Sequence, residues 1–259
     1  MRKTDHGTGP RRFHAYCVGT SKSGTTSLAD MLSASYRAAH EPEPVALIEK
    51  ILDAAAGAIC GDELEQYMKE RDGLLRLEFE SSQLLLYVID ILCNTFPHAK
   101  FILTLRDCYS WLDSVTNHEL TRAINPAWRR MAEHRFRGHE LTHSAAEQVL
   151  ADRGLYTIEG YLSYWAEHNR TVLQRVPSER LLVVRTEEIR HRIAEIADFL
   201  GIPPDTVDPS ASHTNKAVAR TNILQQIDPD LIEQQVAEHC ADLMKEYFPD
   251  IRRSGARGA

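Results

Sequence analysis

Long apolar runs are missing from this chain. The most strongly apolar stretch, Leu84 to Leu92, falls well short of the roughly 20 residues a membrane span needs and carries Asp90 near its end. No bilayer-crossing helix is expected. Paired cysteines are missing as well: Cys17, Cys60, Cys93, Cys108 and Cys240 are an odd, scattered set with no CxxC pair. That argues against a disulfide framework or a thiolate zinc site and fits a reducing cytoplasm. There is no surplus of positive charge, since 30 Lys and Arg stand against 37 Asp and Glu for a formal net charge of −7. Non-specific nucleic-acid binding and a long polyanionic partner are thereby disfavoured, and a small-molecule partner fits better. Met1 to Arg12 is polar and basic, without an apolar core and small-residue cleavage site, so it does not read as a signal peptide. Internal repeats and low-complexity tracts are absent too.

What remains is an ordinary globular composition, 43% hydrophobic and 26% charged over 259 residues, enough for one buried core. We expect flexible tails at 1–12 and 251–259 around a single domain at 13–250, with residues 121–175 forming a helical insert or lid.

The apolar run Phe13 to Gly19 ends in glycine, and Thr25 to Arg37 then spaces Leu28, Met31 and Leu32 as a helix does. The strand-then-helix succession recurs at Leu74–Glu80 with Gln83–Phe96, at Phe101–Leu105 with a helix from about Tyr109, and at Arg180–Val184 with Thr186–Leu200. Such alternation predicts an α/β fold, a mainly parallel central sheet flanked by helices, with ligands at the carboxyl ends of its strands. Between Thr121 and Arg175 the pattern is helical only, with Ile158, Leu162, Trp165, Asn169 and Val172 on one face. A last amphipathic helix is predicted from Asp230 to Tyr247.

Gly19-Thr20-Ser21-Lys22-Ser23-Gly24-Thr25-Thr26-Ser27 lies where the first strand feeds the first helix. Unpaired backbone N–H groups and the positive end of the helix dipole make that junction an anion site. An ATP or GTP loop reads GxxxxGK[ST], but here Thr25 follows Gly24 and the lysine stands two residues before it. An ordinary glycine turn capping a helix is the alternative. The order Lys-Ser-Gly-Thr-Thr resembles the loop of PAPS-dependent sulfotransferases, where PAPS is 3′-phosphoadenosine 5′-phosphosulfate. The resemblance implies a P-loop NTPase-like sulfotransferase fold with helical inserts. It also implies that Lys22 meets the oxygen bridging phosphate and sulfate, with Ser21, Ser23, Gly24, Thr25, Thr26 and Ser27 around the 5′-phosphate.

A second site follows the strand Phe101 to Leu105. Arg106 emerges where ligands collect, Asp107 is a candidate N-cap, and Ser114 stands about two turns into the next helix. An arginine fork and a hydroxyl can share one phosphate. The Arg-x7-Ser spacing resembles the family's signature for the donor's 3′-phosphate; pairing of Arg106 with Asp107 or Asp113 is the alternative.

An attacking hydroxyl must lose a proton, so a base is needed. Phe79-Glu80-Ser81-Ser82 resembles the Phe-Glu-Lys-Ser stretch of heparan sulfate sulfotransferases, which makes Glu80 the first candidate although Ser81 replaces the family's lysine. Glu78, two residues earlier on the same strand face, is expected to raise the pKa of one of the pair. Solvated strand-end glutamates are the alternative. His40 and Glu41, in the loop after the first helix where some bacterial sulfotransferases carry a glutamate, are further candidates.

His139-Glu140-Leu141-Thr142-His143 matches HExxH, yet Gly138 before it and the cap-like Thr142 and Ser144 are poor context for a zinc helix. Arg122, Arg129, Arg130, Arg135 and Arg137 are locally basic, either as a lid for an anionic acceptor or as a solvated face. His213-Thr214-Asn215-Lys216 and Arg220 occupy the place of the family's nucleotide-closing loop, so Lys216 and Arg220 are candidate 3′-phosphate contacts.

The expected activity is in-line sulfuryl transfer from PAPS, leaving PAP, to a hydroxyl or amine of a small acceptor such as a secondary metabolite, lipid or small glycan. No metal is expected. A nucleotide-dependent kinase of the same fold class and a non-catalytic PAP-binding protein are the alternatives.

Overall fold

The computed structural model describes residues 9–121, 125–213 and 221–251. The short apolar run near the N-terminus forms β1 (Ala15–Cys17), and the glycine-bearing loop after it opens α1 (Thr25–Ser33). Then come β2 (Ala38–His40), α2 (Pro44–Ala55), α3 (Gly61–Leu75), β3 (Phe79–Ser81), a 3-10 segment at Gln83–Val88 and α4 (Ile89–Thr95). The chain continues through β4 (Lys100–Leu105), α5 (Cys108–Thr121), α6 (Pro126–Arg135), α7 (Gln148–Ala151), α8 (Ile158–Arg175), β5 (Leu181–Arg185) and α9 (Ile193–Leu200). It closes with α10 (Pro229–His239) and α11 (Ala241–Tyr247).

All strand pairs are parallel, in the order β2-β3-β1-β4-β5. After β1 the chain builds toward β3 and β2, and after β4 it builds toward β5. The crevice at the carboxyl ends of β1 and β4 is therefore the topological switch point, where open α/β sheets bind ligands.

Two compact units divide the chain. The first comprises Met1–Leu105, Asn125–Met131 and His168–Lys216 and carries every strand; the second comprises Arg106–Ile124, Ala132–Glu167 and Ala217–Ala259. In the first, Ala15, Cys17, Phe79, Ile102 and Val184 from four strands meet Leu28, Met31 and Leu32 of α1 and Ile196, Ala197 and Leu200 of α9. Burying large aliphatic side chains at roughly 1.5–3 kcal/mol each is what holds α1, and hence the loop before it, against the sheet. In the second, Trp111, Phe136, Tyr161, Trp165 and Phe248 are fully buried, and Phe136 packs edge-on to Tyr164 with ring centroids 5.2 Å apart.

Several boundaries differ from the sequence expectation. Leu74 and Leu75 end α3, and Arg76 caps it in a left-handed conformation, so β3 begins only at Phe79. Leu74 is 82% exposed, which shows why its apolar character misled. Ser82 accepts a hydrogen bond from Leu84 N and starts a 3-10 segment, so the predicted helix over Gln83–Phe96 is regular only from Ile89. Thr186 likewise opens a 3-10 segment rather than α9, and the last predicted helix breaks at Cys240 into α10 and α11. Among the described residues no helix is long and apolar enough to cross a membrane.

Candidate functional site

Two positions on the β1–α1 loop take the left-handed backbone: Lys22 at φ 65° and Gly24 at φ 98°, the N-cap of α1. For lysine that region is disfavoured, so the surrounding bonds must hold it there. Ser23 does so: its Oγ donates to Thr20 O at 2.7 Å and lies 2.9 Å from Thr104 Oγ1 of β4. Thr186 adds an external brace, donating to Ser23 O at 2.7 Å. Gly19 allows the close approach, because a Cβ there would sit 2.1 Å from Thr104 Oγ1 and 2.6 Å from Thr104 O. His168, fully buried, hydrogen-bonds Val18 O at 2.7 Å and fixes the loop's root.

The first turn of α1 then presents Thr25, Thr26 and Ser27, of which Thr25 is buried and the other two half-buried. No acidic side chain stands in that turn, leaving the positive end of the helix dipole uncompensated by charge on α1 itself. Ser21 and Lys22 are half-buried beside it.

His40 ends β2 with its Nε2 3.3 Å from Thr25 Oγ1 and 3.2 Å from Thr26 Oγ1, so the imidazole stands against the first turn of α1. Glu41 follows, accepting from Gln83 Nε2 at 2.9 Å. Glu80 of β3 forms a bidentate pair with Arg71 of α3, at 2.7 and 2.8 Å, and both side chains are almost fully buried. Both of its carboxylate oxygens are thereby occupied.

Glu78 corrects the expectation of a mutually raised carboxylate pair. It precedes β3, at the amino end of the sheet, and is met by the Arg12 side chain and backbone and by Arg37 N. Burial pushes its carboxyl up, but the hydrogen bonds from Arg12 and Arg37 outweigh burial and hold it at about 2. A carboxyl so acidic is a poor proton acceptor. Each glutamate has an arginine of its own, which the sequence reading did not anticipate.

In the second unit, Asp107 accepts from Ser110 N at 2.9 Å and from the Ser110 hydroxyl, capping α5 as its sequence position suggested. Arg106 Nε donates to Ser110 Oγ at 2.9 Å, and its carbonyl accepts from Trp165 Nε1 at 3.1 Å. Ser110 lies one helical turn before Ser114, so the two hydroxyls share one side of α5. Arg106 and Ser114 are the residues expected from the sequence; the structure brings Ser110 to Arg106 as well, and the Asp-x-x-Ser cap is the sequence signal for it.

The HExxH match is not helical: residues 136–140 form turns and 141–143 an irregular segment. His139 points outward beside Glu133, and His143 bonds the Leu155 carbonyl. Among the described residues no group of three His, Cys, Asp or Glu is arranged to hold a metal. Of the basic stretch, Arg130 pairs with Glu49, Arg135 with Glu119 and Arg137 with Glu159. Arg122, Lys216 and Arg220 lie outside the described residues.

A parallel sheet whose first strand delivers a glycine loop to a helix N-terminus is the phosphate-loop α/β class. Within that class, the sulfotransferase domain family matches residues 16–220, and the chain belongs to it. Among solved structures the chain is similar to a sulfotransferase from Alicyclobacillus acidocaldarius, with 21% identity, a TM-score of 0.52 and coverage of 90% of this chain and 94% of that one. It is also similar to a sulfotransferase from Mycobacterium avium, with 13% identity, a TM-score of 0.53 and coverage of 94% and 78%. These two likenesses bear on the fold alone. No curated protein matches the chain.

Proposed function

We propose that this protein transfers a sulfuryl group from PAPS to a hydroxyl or amine of a small acceptor by in-line displacement. The observation that carries the reading is Lys22, held in a left-handed conformation two residues before the Gly24 cap of α1. In this reading the α1 N-terminus with Ser23, Gly24, Thr25 and Thr26 receives the 5′-phosphate, flanked by Ser21 and Ser27. Lys22 meets the bridging oxygen, where negative charge grows as the S–O bond breaks. Arg106 and Ser114 take the 3′-phosphate, and we add Ser110 to them because Arg106 Nε already donates to it. Lys216 and Arg220 remain assigned to the same phosphate on the family resemblance.

For the base we assign His40. Its Nε2 reaches the two threonines of the phosphate loop, whereas both oxygens of Glu80 are engaged by Arg71 and Glu78 is held at about 2. The acceptor hydroxyl gives its proton to the imidazole as its oxygen attacks sulfur, and PAP leaves. Glu41 is the alternate base. The single domain over 13–250 stays part of this proposal, as does a reducing cytoplasm, which the five unpaired cysteines suit.

Turnover of labelled PAPS over a panel of secondary-metabolite, lipid and small-glycan acceptors tests the reading. Lys22→Ala is expected to abolish transfer while PAP still binds, and Arg106→Ala mainly to weaken PAP binding. Equal turnover by wild type and Lys22→Ala rejects the assignment. Thermal stabilisation by magnesium-ATP but not by PAP identifies a kinase instead, and PAP binding without transfer identifies a non-catalytic binder.

A further inference from the structure

We propose that Arg71 and Glu80 are positioning residues, a buried clamp that holds the strained Glu41–Pro42–Glu43 turn and through it sets His40 against the phosphate loop. The inference rests on the assignment of His40 as base.

The turn departs from ordinary backbone at two positions. Glu41 and Glu43, on either side of Pro42, have φ of 46° and 48°, a region that non-glycine side chains disfavour. Such strain persists only where neighbouring structure over-determines it, and it gathers at functional sites. Three ties do so here. Glu41 N donates to Ser81 O at 2.9 Å, Gln83 Nε2 donates to the Glu41 carboxylate at 2.9 Å, and Arg71 Nη2 donates to Pro42 O at 2.8 Å. The first comes from the last residue of β3, the second from the first residue of the 3-10 segment after it, and the third from α3.

Arg71 is oriented for that third tie by Glu80. Its two terminal nitrogens reach the two carboxylate oxygens at 2.7 and 2.8 Å, with side chains 2% and 6% exposed. Glu80 is the register partner of Ala39, the residue before His40. Glu80 thus lies beside β2 next to its last residue, and Arg71 holds the turn two residues beyond it, with His40 between. A desolvated ion pair is a poor source of net stability compared with apolar residues of the same volume, so its presence calls for another role. Fixing the direction of a fork donor onto one carbonyl is such a role.

The same geometry argues against Glu80 as the proton acceptor. A substrate hydroxyl approaching either oxygen must displace a guanidinium donor from a buried bidentate pair.

The test is steady-state kinetics of the full chain, with pH profiles, for Arg71→Met, Glu80→Gln, the double variant Arg71→Met/Glu80→Leu and His40→Asn. The clamp predicts that each of the first three lowers kcat about 10- to 100-fold, as a small misplacement of a reacting group does, with KM for PAPS within about threefold. It predicts that the double variant is no worse than the worse single, and that the acid limb of the profile survives in Glu80→Gln and vanishes only in His40→Asn. Loss of that limb in Glu80→Gln, with turnover kept or raised in Arg71→Met, overturns the clamp and makes Glu80 the base. The double variant leaves no stranded charge, so it serves if the singles fail to fold, and wild-type kcat in it also overturns the proposal.

A second measurement needs no turnover. The His40 ring resonances, identified by their loss in His40→Asn, are expected to move in Arg71→Met/Glu80→Leu, and unmoved resonances overturn the clamp. Should wild type neither bind PAP nor transfer from PAPS, the functional reading falls while this measurement still decides the clamp.

Discussion

Thr186 donates its hydroxyl to the carbonyl of Ser23 at 2.7 Å and lies 3.2 Å from the carbonyl of Leu105, so one side chain braces the glycine loop before α1 against the tip of β4. Thr186→Val keeps the shape and removes the bond. It is expected to cost about 1 kcal/mol of stability and to weaken PAP binding about tenfold. Isothermal titration with PAP checks this, and unchanged affinity would mean that the loop keeps its form without the brace.

Gly19 and Gly24 are required for different reasons. A Cβ at Gly19 collides with the Thr104 backbone and side chain, while Gly24 combines φ 98° with an Ile189 methyl 2.6 Å from where a Cβ would stand. Gly19→Ala is expected to unfold the loop and to destabilise the protein by more than about 2 kcal/mol, as overpacking against backbone does. Gly57→Ala, with φ 71° but open space around it, is expected to cost only about 1 kcal/mol. Urea midpoints of the two variants give the comparison, and equal losses would contradict the collision.

Glu78 makes stability depend on pH at the acid end. Its folded-state carboxyl titrates at about 2, below the ordinary value of 4.5. The contribution is therefore present in full above about 5 and is lost as pH falls through 4.5 toward 2, where the folded form also takes the proton. Glu78→Gln is expected to cost about 3 kcal/mol at pH 7 and progressively less toward pH 2. Chemical unfolding of both proteins at a series of pH values checks this, and a gap that does not narrow would refute the role of Arg12 and Arg37.

Ser110 couples the α5 cap to Arg106, because it bonds Asp107 and accepts from Arg106 Nε at the same hydroxyl. Ser110→Ala is expected to raise the PAP dissociation constant about fivefold with little loss of stability. Asp107→Ala, which removes the cap of the Ser110 N–H, is expected to cost about 1 kcal/mol. Binding and melting of the two variants together separate the roles, and a Ser110→Ala protein with wild-type PAP affinity would remove Ser110 from the site.

β1, the glycine loop, α1, β4 and the start of α5 are legible in the sequence because their causes are local. Apolar runs, a glycine at the end of a strand and an aspartate before a helix act over a few residues. The partners of the acidic candidates were not local. Arg12 stands 66 positions from Glu78, and Arg71 reaches Glu80 only because α3 folds back on β3. Ser110 was within reach of the sequence, since Asp107 three residues earlier marks a cap, but nothing in the spacing says which hydroxyl Arg106 selects.

By itself the sequence determined the parallel α/β architecture and the place of the glycine loop, since these follow from periodicity and short-range order, while the family resemblance rests on the Lys22–Thr26 motif. Only the tertiary structure decided the chemistry of the carboxylates. Glu78 is held acidic by hydrogen bonds from Arg12 and Arg37, and both oxygens of Glu80 are engaged by Arg71, partners that only the folded chain brings to them.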